Sequence, residues 1–172
     1  MITLDELKRI MPHAGARADY FLEPLNDAMQ EFEINSNVRE AAFLSQIAHE
    51  SGSLRYVKEI ASGDAYEGRQ DLGNTVDGDG RRFKGRGLIQ ITGRTNYAQC
   101  GAGLGLDLLA YPELLEETAN ACRSAAWFWK SRGLNELADK GDFKLITKRI
   151  NGGYNGYQDR LSYYERAQQV LA

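Results

Sequence analysis

The hydrophobic pattern is densest over Ala41-Ala42-Phe43-Leu44-Ser45-Gln46-Ile47-Ala48-His49-Glu50, where almost every position is apolar or small until one carboxylate arrives. With Val38-Arg39-Glu40 ahead of it, the run predicts a helix of roughly four turns with no broad polar face, and therefore a buried one. Gly52 suits the position just past a helix end, so the helix should stop near Ser51. The flanking segments are ordinarily amphipathic. Thr3 with Glu6 predicts a capping box that opens a short helix to about Ile10. Tyr20, Phe21, Leu25, Ala28, Met29 and Phe32 recur at helical spacing and predict a helix over about 16–32, kinked or broken at Pro24. Asn37 is expected to cap the central helix. Pro112 should open a long helix through Ser131, with Ala119, Cys122, Ala126 and Trp129 on its inner face and Trp127 on its flank. Asp142 should cap a helix to about Ile150. Leu161, Tyr164, Ala167 and Leu171 stripe a last helix over about 157–171.

Between residues 60 and 87 the periodicity lapses into glycines and polar residues, too irregular for a helix. Stretches of this length inside a compact domain are usually functional or disordered. Phe83 and Leu88-Ile89-Gln90-Ile91-Thr92 read as a short strand or hairpin. Gly93 to Tyr97 begins another helix. Gly101-Ala102-Gly103-Leu104-Gly105 reads as a glycine turn, without the strand and later acidic residue of a dinucleotide fingerprint. The chain is thus expected to be mainly α, a single catalytic domain over 1–172 with a small helical sub-lobe around 101–141 and a glycine-rich loop or hairpin lobe.

Composition narrows the function classes. A hydrophobic content of 42% with 26% charged residues is that of a globular protein. A net charge of −3 argues against a nucleic-acid partner, which would favour a basic chain. Arg81-Arg82-Phe83-Lys84-Gly85-Arg86 is the one dense basic cluster, readable as a solvated loop or as a neighbour of an anionic polymer. Cys100 and Cys122 fit no zinc spacing and read as free buried thiols. No metal or cofactor is expected. His49-Glu50 lacks the second histidine of a zinc helix, since position 53 is Ser53, and Asp77-Gly78-Asp79-Gly80 lacks the closing glutamate of a calcium loop, since that position is Leu88. Met1 to Glu6 has no secretory character, and no run approaches the roughly 18 apolar residues of a membrane span. The expected protein is a monomer made in a cytoplasm, without membrane insertion, that stays there unless something else releases it.

What remains for chemistry is a pair of carboxylates. Glu50 falls in the last turn of the buried helix, where desolvation and the helix dipole both disfavour the charged form. A glutamate that keeps its proton is what a general acid needs. It reads equally as the cap of a surface turn, paired with Arg55 or Lys58. Glu59 follows across the Gly52 turn, near enough to face Glu50 over a groove, as glycoside hydrolysis requires of two carboxylates.

Phe43 to Gly52 resembles the acid-bearing helix of family 19 glycoside hydrolases, which include plant-type chitinases and phage endolysins. Three further stretches match in order. Phe83-Lys84-Gly85-Arg86-Gly87-Leu88-Ile89-Gln90-Ile91-Thr92 resembles the family's Gly-Arg-Gly segment, and Asn96-Tyr97 follows at the family spacing. Arg149-Ile150-Asn151-Gly152-Gly153 and Asp159-Arg160-Leu161-Ser162-Tyr163-Tyr164 resemble its C-terminal elements. The resemblance covers about residues 38–171 and implies a lysozyme-like fold. It makes Glu50 the general acid, Glu59 the base of an inverting reaction and Thr92 a hydroxyl that helps hold water. It makes Gln90, Asn96, Tyr97 and Asn151 residues of the sugar cleft, and Arg160 the arginine supporting the carboxylates. For Asn151 and Arg160, a turn cap and a structural ion pair are the plainer readings. Plant members carry disulfides and a longer insertion between the two glutamates, which leaves Glu67 as a second candidate for the base. The short gap resembles the endolysin branch. The expected substrate is therefore the β-1,4-linked amino-sugar backbone of peptidoglycan, with release through a holin-type pore. Chitin, or a wall-binding module without chemistry, are the alternatives.

Overall fold

The computed structural model describes residues 1–172, and nine α-helices account for most of the chain. They are α1 (Leu4–Ile10), α2 (Arg17–Glu31), α3 (Asn37–Glu50), α4 (Asp79–Arg82), α5 (Arg94–Leu104), α6 (Thr118–Ser131), α7 (Leu134–Asp139), α8 (Phe143–Asn151) and α9 (Tyr157–Val170). No strand forms. The hairpin expected around Phe83 and Leu88–Thr92 reduces to two isolated bridges, Lys58 to Arg86 and Arg86 to Ile91. Gly87 and Gln90 both sit in left-handed backbone there, which breaks the extended geometry a ladder needs.

Local chemistry explains most of the boundaries. The Thr3–Glu6 capping box is present in full at α1. Ser36, rather than Asn37, caps α3, its hydroxyl accepting from the Arg39 N–H at 3.2 Å. α2 continues as one helix through Pro24. The helix expected to start at Pro112 divides: 112–116 is a 3₁₀ turn, Glu117 is extended, and α6 begins at Thr118. Ala119 is consequently exposed, while Ala121, Cys122, Ala125, Ala126 and Trp129 face inward. Gly101 and Gly103 are the last turn of α5 rather than a loop. A Cβ at Gly103 would run into the Trp127 indole, so glycine lets the two helices approach. Leu134–Asp139 was not foreseen as a helix; Asn135 on it accepts from the Trp129 indole N–H at 3.0 Å.

One core of buried apolar side chains runs from Ile2 to Leu171. α3 lies at its centre, with every residue from Glu40 to Ala48 buried, and α9 packs along it. Phe43 meets Trp129 edge-on at 5.4 Å. The polar side chains inside are all satisfied. Gln46 donates to Thr147 on α8 at 3.0 Å and accepts from Arg160 on α9 at 2.7 Å, which ties three helices together. Cys100 and Cys122 are free and buried, and burial pushes the Cys100 thiol up to about 12. No helix is long and apolar enough to cross a membrane.

Residues 51–93 contain only 3₁₀ turns and the single turn of α4. Polar contacts hold this segment. Asp79, 1% exposed, takes both Nε and Nη2 of Arg94 at 2.8 and 2.9 Å, and Arg94 lies over the Phe83 ring. Asn74 donates to the Tyr66 carbonyl and accepts from the Arg94 N–H. The basic cluster is absorbed in the same way: Arg81 pairs with Asp64, Arg82 donates to Leu109 and Ala110 carbonyls, Lys84 to the Ala61 carbonyl, and Arg86 pairs with Glu116. It offers no free basic patch to a polymer.

Candidate active site

Glu50 closes α3. Its Oε1 lies 2.7 Å from Nη2 of Arg160, one turn into α9, and not against Arg55 or Lys58. Arg160 is 1% exposed, and its other donors are used by Gln46 Oε1 and the Asn155 carbonyl. A guanidinium buried that deeply needs its carboxylate, so the pair fixes where Glu50 points. Gly156 starts α9 and passes so close to the His49 ring that a Cβ would overlap it. His49 in turn meets Asp159 at 2.7 Å. Helix end and helix start are thus interlocked around the carboxylate.

Beyond Glu50 the chain reverses sharply. Gly52, Ser53 and Leu54 all have left-handed backbone, costly for the two non-glycines. Ser51 holds the reversal: its hydroxyl donates to the Ile47 carbonyl and accepts from the Leu54 N–H at 2.8 Å. Glu59 is then clamped from two sides. The Gly85 N–H donates to its Oε1 at 2.6 Å and the Tyr66 hydroxyl to its Oε2 at 3.0 Å, while its own N–H donates to the Gly85 carbonyl. A Cβ on Gly85 would sit 2.7 Å from Gln90 Oε1 and 3.3 Å from both Glu59 Oε1 and Thr92 Oγ1. Only glycine lets those three side chains converge there.

Glu50 and Glu59 line one open groove of about 350 Å³, with Tyr56, Lys58, Ile60 and Gln90 among its walls. Gln90 also borders a second chamber of about 140 Å³, walled by Thr92, Asn96, Trp127, Phe128 and Arg132 among others. The two spaces have Gln90 in common, whose backbone is left-handed at φ 62°. Thr92 donates to the Gln90 carbonyl at 3.1 Å, and Asn96 to the Thr92 carbonyl at 2.8 Å, so this wall is braced by its own side chains.

Two expectations, for Tyr97 and Asn151, need correction, while Arg160 meets Glu50 as a supporting arginine would. Tyr97 does not line the cleft: it is fully buried, its hydroxyl bonded to the Lys84 carbonyl and to Arg86 at 3.1 Å, and burial pushes its phenol well up. Its contact is with the strip behind Gly85. Arg160 stands behind Glu50 and offers nothing to a ligand directly. Asn151 is exposed and its Oδ1 accepts from the Asn155 N–H at 3.2 Å, the turn-capping role, outside the walls of either chamber. Glu67, the second candidate for the base, is engaged elsewhere: the N–H groups of Gly78 and Gly80 hold its carboxyl below the usual range, away from the groove.

Tyr66, the Gly85 amide, Trp127, Phe128 and Arg132 were not singled out for the site by sequence reasoning. Tyr66 and Gly85 lie in the segment without periodicity, and the helical pattern of α6 marks Trp127, Phe128 and Arg132 as one face without showing what that face meets. Arg132 is a half-buried cation that stacks 4.3 Å from the Phe128 ring centroid, and burial pushes it down.

The family 19 glycoside hydrolase model, described as chitinase class I, matches residues 29–139. A glycosyl hydrolase family 19 domain-containing protein of Haemophilus influenzae is 29% identical over 95% of this chain and 94% of its own length. An endochitinase of Arabidopsis thaliana is 39% identical over 72% of this chain. The chain spans 44% of that plant protein's length. The crystal structure of chitinase C from Streptomyces griseus superposes with a TM-score of 0.82 at 25% identity, covering 99% of this chain and 76% of that one.

Proposed function

Because this chain belongs to glycoside hydrolase family 19, a family of chitinase-like enzymes acting on glycans, we propose that it is an endolysin-type lysozyme. On this reading it hydrolyses the β-1,4 glycosidic bonds of peptidoglycan with inversion. The observation that carries the catalytic part is the shared groove. Glu50 and Glu59 line the same 350 Å³ space, one at the end of a buried helix and the other clamped by a backbone amide and a phenol.

In this mechanism Glu50 gives its proton to the glycosidic oxygen as the bond to the anomeric carbon breaks. Water enters from the other face, guided by the Thr92 hydroxyl, and Glu59 takes its proton. Gln90 and Asn96, amides on the cleft wall, supply donors and acceptors for acetamido and hydroxyl groups. Arg160 acts through Glu50 by holding its orientation. Peptidoglycan is favoured as substrate by two observations. A relative that matches over nearly its whole length, a glycosyl hydrolase family 19 domain-containing protein, comes from the bacterium Haemophilus influenzae. Both thiols are free, as suits a chain folded in a reducing compartment. Chitin is the second reading, favoured by the endochitinase and chitinase relatives. We further infer a monomer that meets the wall from the periplasmic side.

The test is digestion of purified peptidoglycan and of chitin, with products identified by mass spectrometry and their anomeric form by rapid NMR. Fragments ending in N-acetylmuramic acid, released first as the α-anomer, are expected. Glu50→Gln and Glu59→Gln should each lose roughly 10²–10⁴-fold in turnover with an unchanged circular dichroism spectrum. Undiminished turnover in either variant would remove that residue from the mechanism. Chitin fragments alone would replace the substrate.

A further inference from the structure

Among the charged groups on the walls of the two chambers, Arg132 alone lacks a carboxylate, phenol or backbone partner of its own. Glu50 has Arg160, Glu59 has Gly85 and Tyr66, and Lys58 lies 3.7 Å from Glu116. The Arg132 guanidinium makes one hydrogen bond, to the Ser131 hydroxyl at 3.0 Å. Its remaining support is aromatic, the rings of Phe128 at 4.3 Å and Trp127 at 5.6 Å. Those rings flank the guanidinium without satisfying its N–H donors or balancing its charge.

A half-buried cation that has given up water without gaining an anion is under-compensated. The Nε–Nη2 edge left unused is the shape that receives a carboxylate through two parallel hydrogen bonds. A chitin chain has no anionic group to offer. Peptidoglycan does: the lactyl carboxylate of muramic acid where no peptide is attached, and the carboxylates of the stem peptide where one is. Gln90 lines both chamber and groove, and on this reading a glycan placed over Glu50 and Glu59 runs past it with an adjacent sugar's substituent against this wall.

We propose that Arg132 is a specificity-determining residue that binds a peptidoglycan carboxylate in the second chamber and so favours peptidoglycan over uncharged chitin. The inference rests on the peptidoglycan reading above. It assigns no chemical step to Arg132, whose contribution is to place the chain.

The experiment compares wild type, Arg132→Gln and Arg132→Lys on three substrates: peptidoglycan with intact stems, glycan strands stripped of stems by an amidase, and a chitin hexamer. Arg132→Gln should lower the ratio of peptidoglycan to chitin kcat/KM by about tenfold, mainly through KM, the scale of one charge-assisted contact. Arg132→Lys keeps the charge and should recover part of that ratio, which a purely structural stacking role would not produce. A loss confined to stripped strands makes the lactyl carboxylate the ligand, a loss confined to intact peptidoglycan makes the stem carboxylates the ligand, and a loss on both means the site accepts either. A wild type that cleaves peptidoglycan with the same ratio as Arg132→Gln overturns the inference and leaves the function standing. A wild type that cleaves only chitin overturns the peptidoglycan reading and the inference with it. Melting curves of both variants guard against a change in fold.

Discussion

The helical body and the glycine-rich segment each deliver one of the two carboxylates, and they hold it by opposite means. Glu50 is placed by burial: α3 is locked into the core by Phe43, Ile47 and Ala48, and a buried arginine from α9 meets the carboxylate where the helix ends. Glu59 is placed by polar contacts on a chain with almost no regular structure: an amide, a phenol, and behind them the Asp79–Arg94 and Arg86–Glu116 pairs. Apolar burial is non-directional and sums over many atoms, so it withstands single polar changes. A hydrogen-bonded loop depends on a few directional contacts, so a small change there should move geometry before it moves stability.

The largest effect that could break this contrast lies in the body. Trp129→Ala removes a fully buried indole and its bond to Asn135, and should cost about 3–5 kcal/mol in denaturant unfolding. Activity should survive wherever the variant is still folded; a folded but inactive variant would show that the body does more than carry Glu50. Arg160→Met comes next. It strips Glu50 and Gln46 of a shared buried partner, a change that typically costs ~3–5 kcal/mol for such a pair, with the lower end fitting because the Glu50 side chain stays 19% exposed. Stability and kcat should fall together here, and unchanged kcat would detach Arg160 from the site.

Gly85→Ala sharpens the comparison from the other side. The added methyl would press on Gln90, Glu59 and Thr92 at once, so kcat should drop about 10–100-fold, the scale of a sub-ångström misplacement, while the melting point barely moves. A large fall in melting point with full kcat would mean that the segment is stability-bearing after all. A smaller effect is acid sensitivity of the loop. Arg94 beside Asp79 holds its carboxyl below the ordinary aspartate value. The pair therefore stabilises the segment above that ordinary value, about 3.9, and loses its contribution as pH falls through the lower folded value. Proteolytic nicking by an acid protease within 60–87 should appear below about pH 4, before the body unfolds, and Asp79→Asn should be nicked there by a neutral protease already at about pH 7. Simultaneous loss of both regions would refute the separation. Least of all, Arg81→Ala breaks an exposed pair with Asp64 and should shift stability by less than about 1 kcal/mol.

Much of the body was legible from the order of residues alone. A run such as Ala41–Ala48, apolar on every side, can only be stable inside, and the glycine after it must end the helix; both follow from backbone sterics and water's exclusion of apolar surface. The same local rules found the Thr3 and Asp142 caps and the α9 stripe, and ordered motifs shared with family 19 pointed to Glu50 and Glu59. Where neighbours compete for one role, local rules gave the wrong answer: Ser36 took the cap expected of Asn37, and the turn of left-handed residues around Gly87 and Gln90 displaced a hairpin.

Tertiary structure alone decided who meets whom across long stretches of chain. That Arg160 reaches Glu50 from 110 residues away, that Gly85 and Tyr66 close on Glu59, that Tyr97 turns inward and Asn151 outward, are all outcomes of packing. Spacing along the chain encodes which face of a helix a side chain occupies, because that is set by a fixed turn per residue. It does not encode which distant segment that face, or a glycine-rich loop with no period at all, will find opposite it.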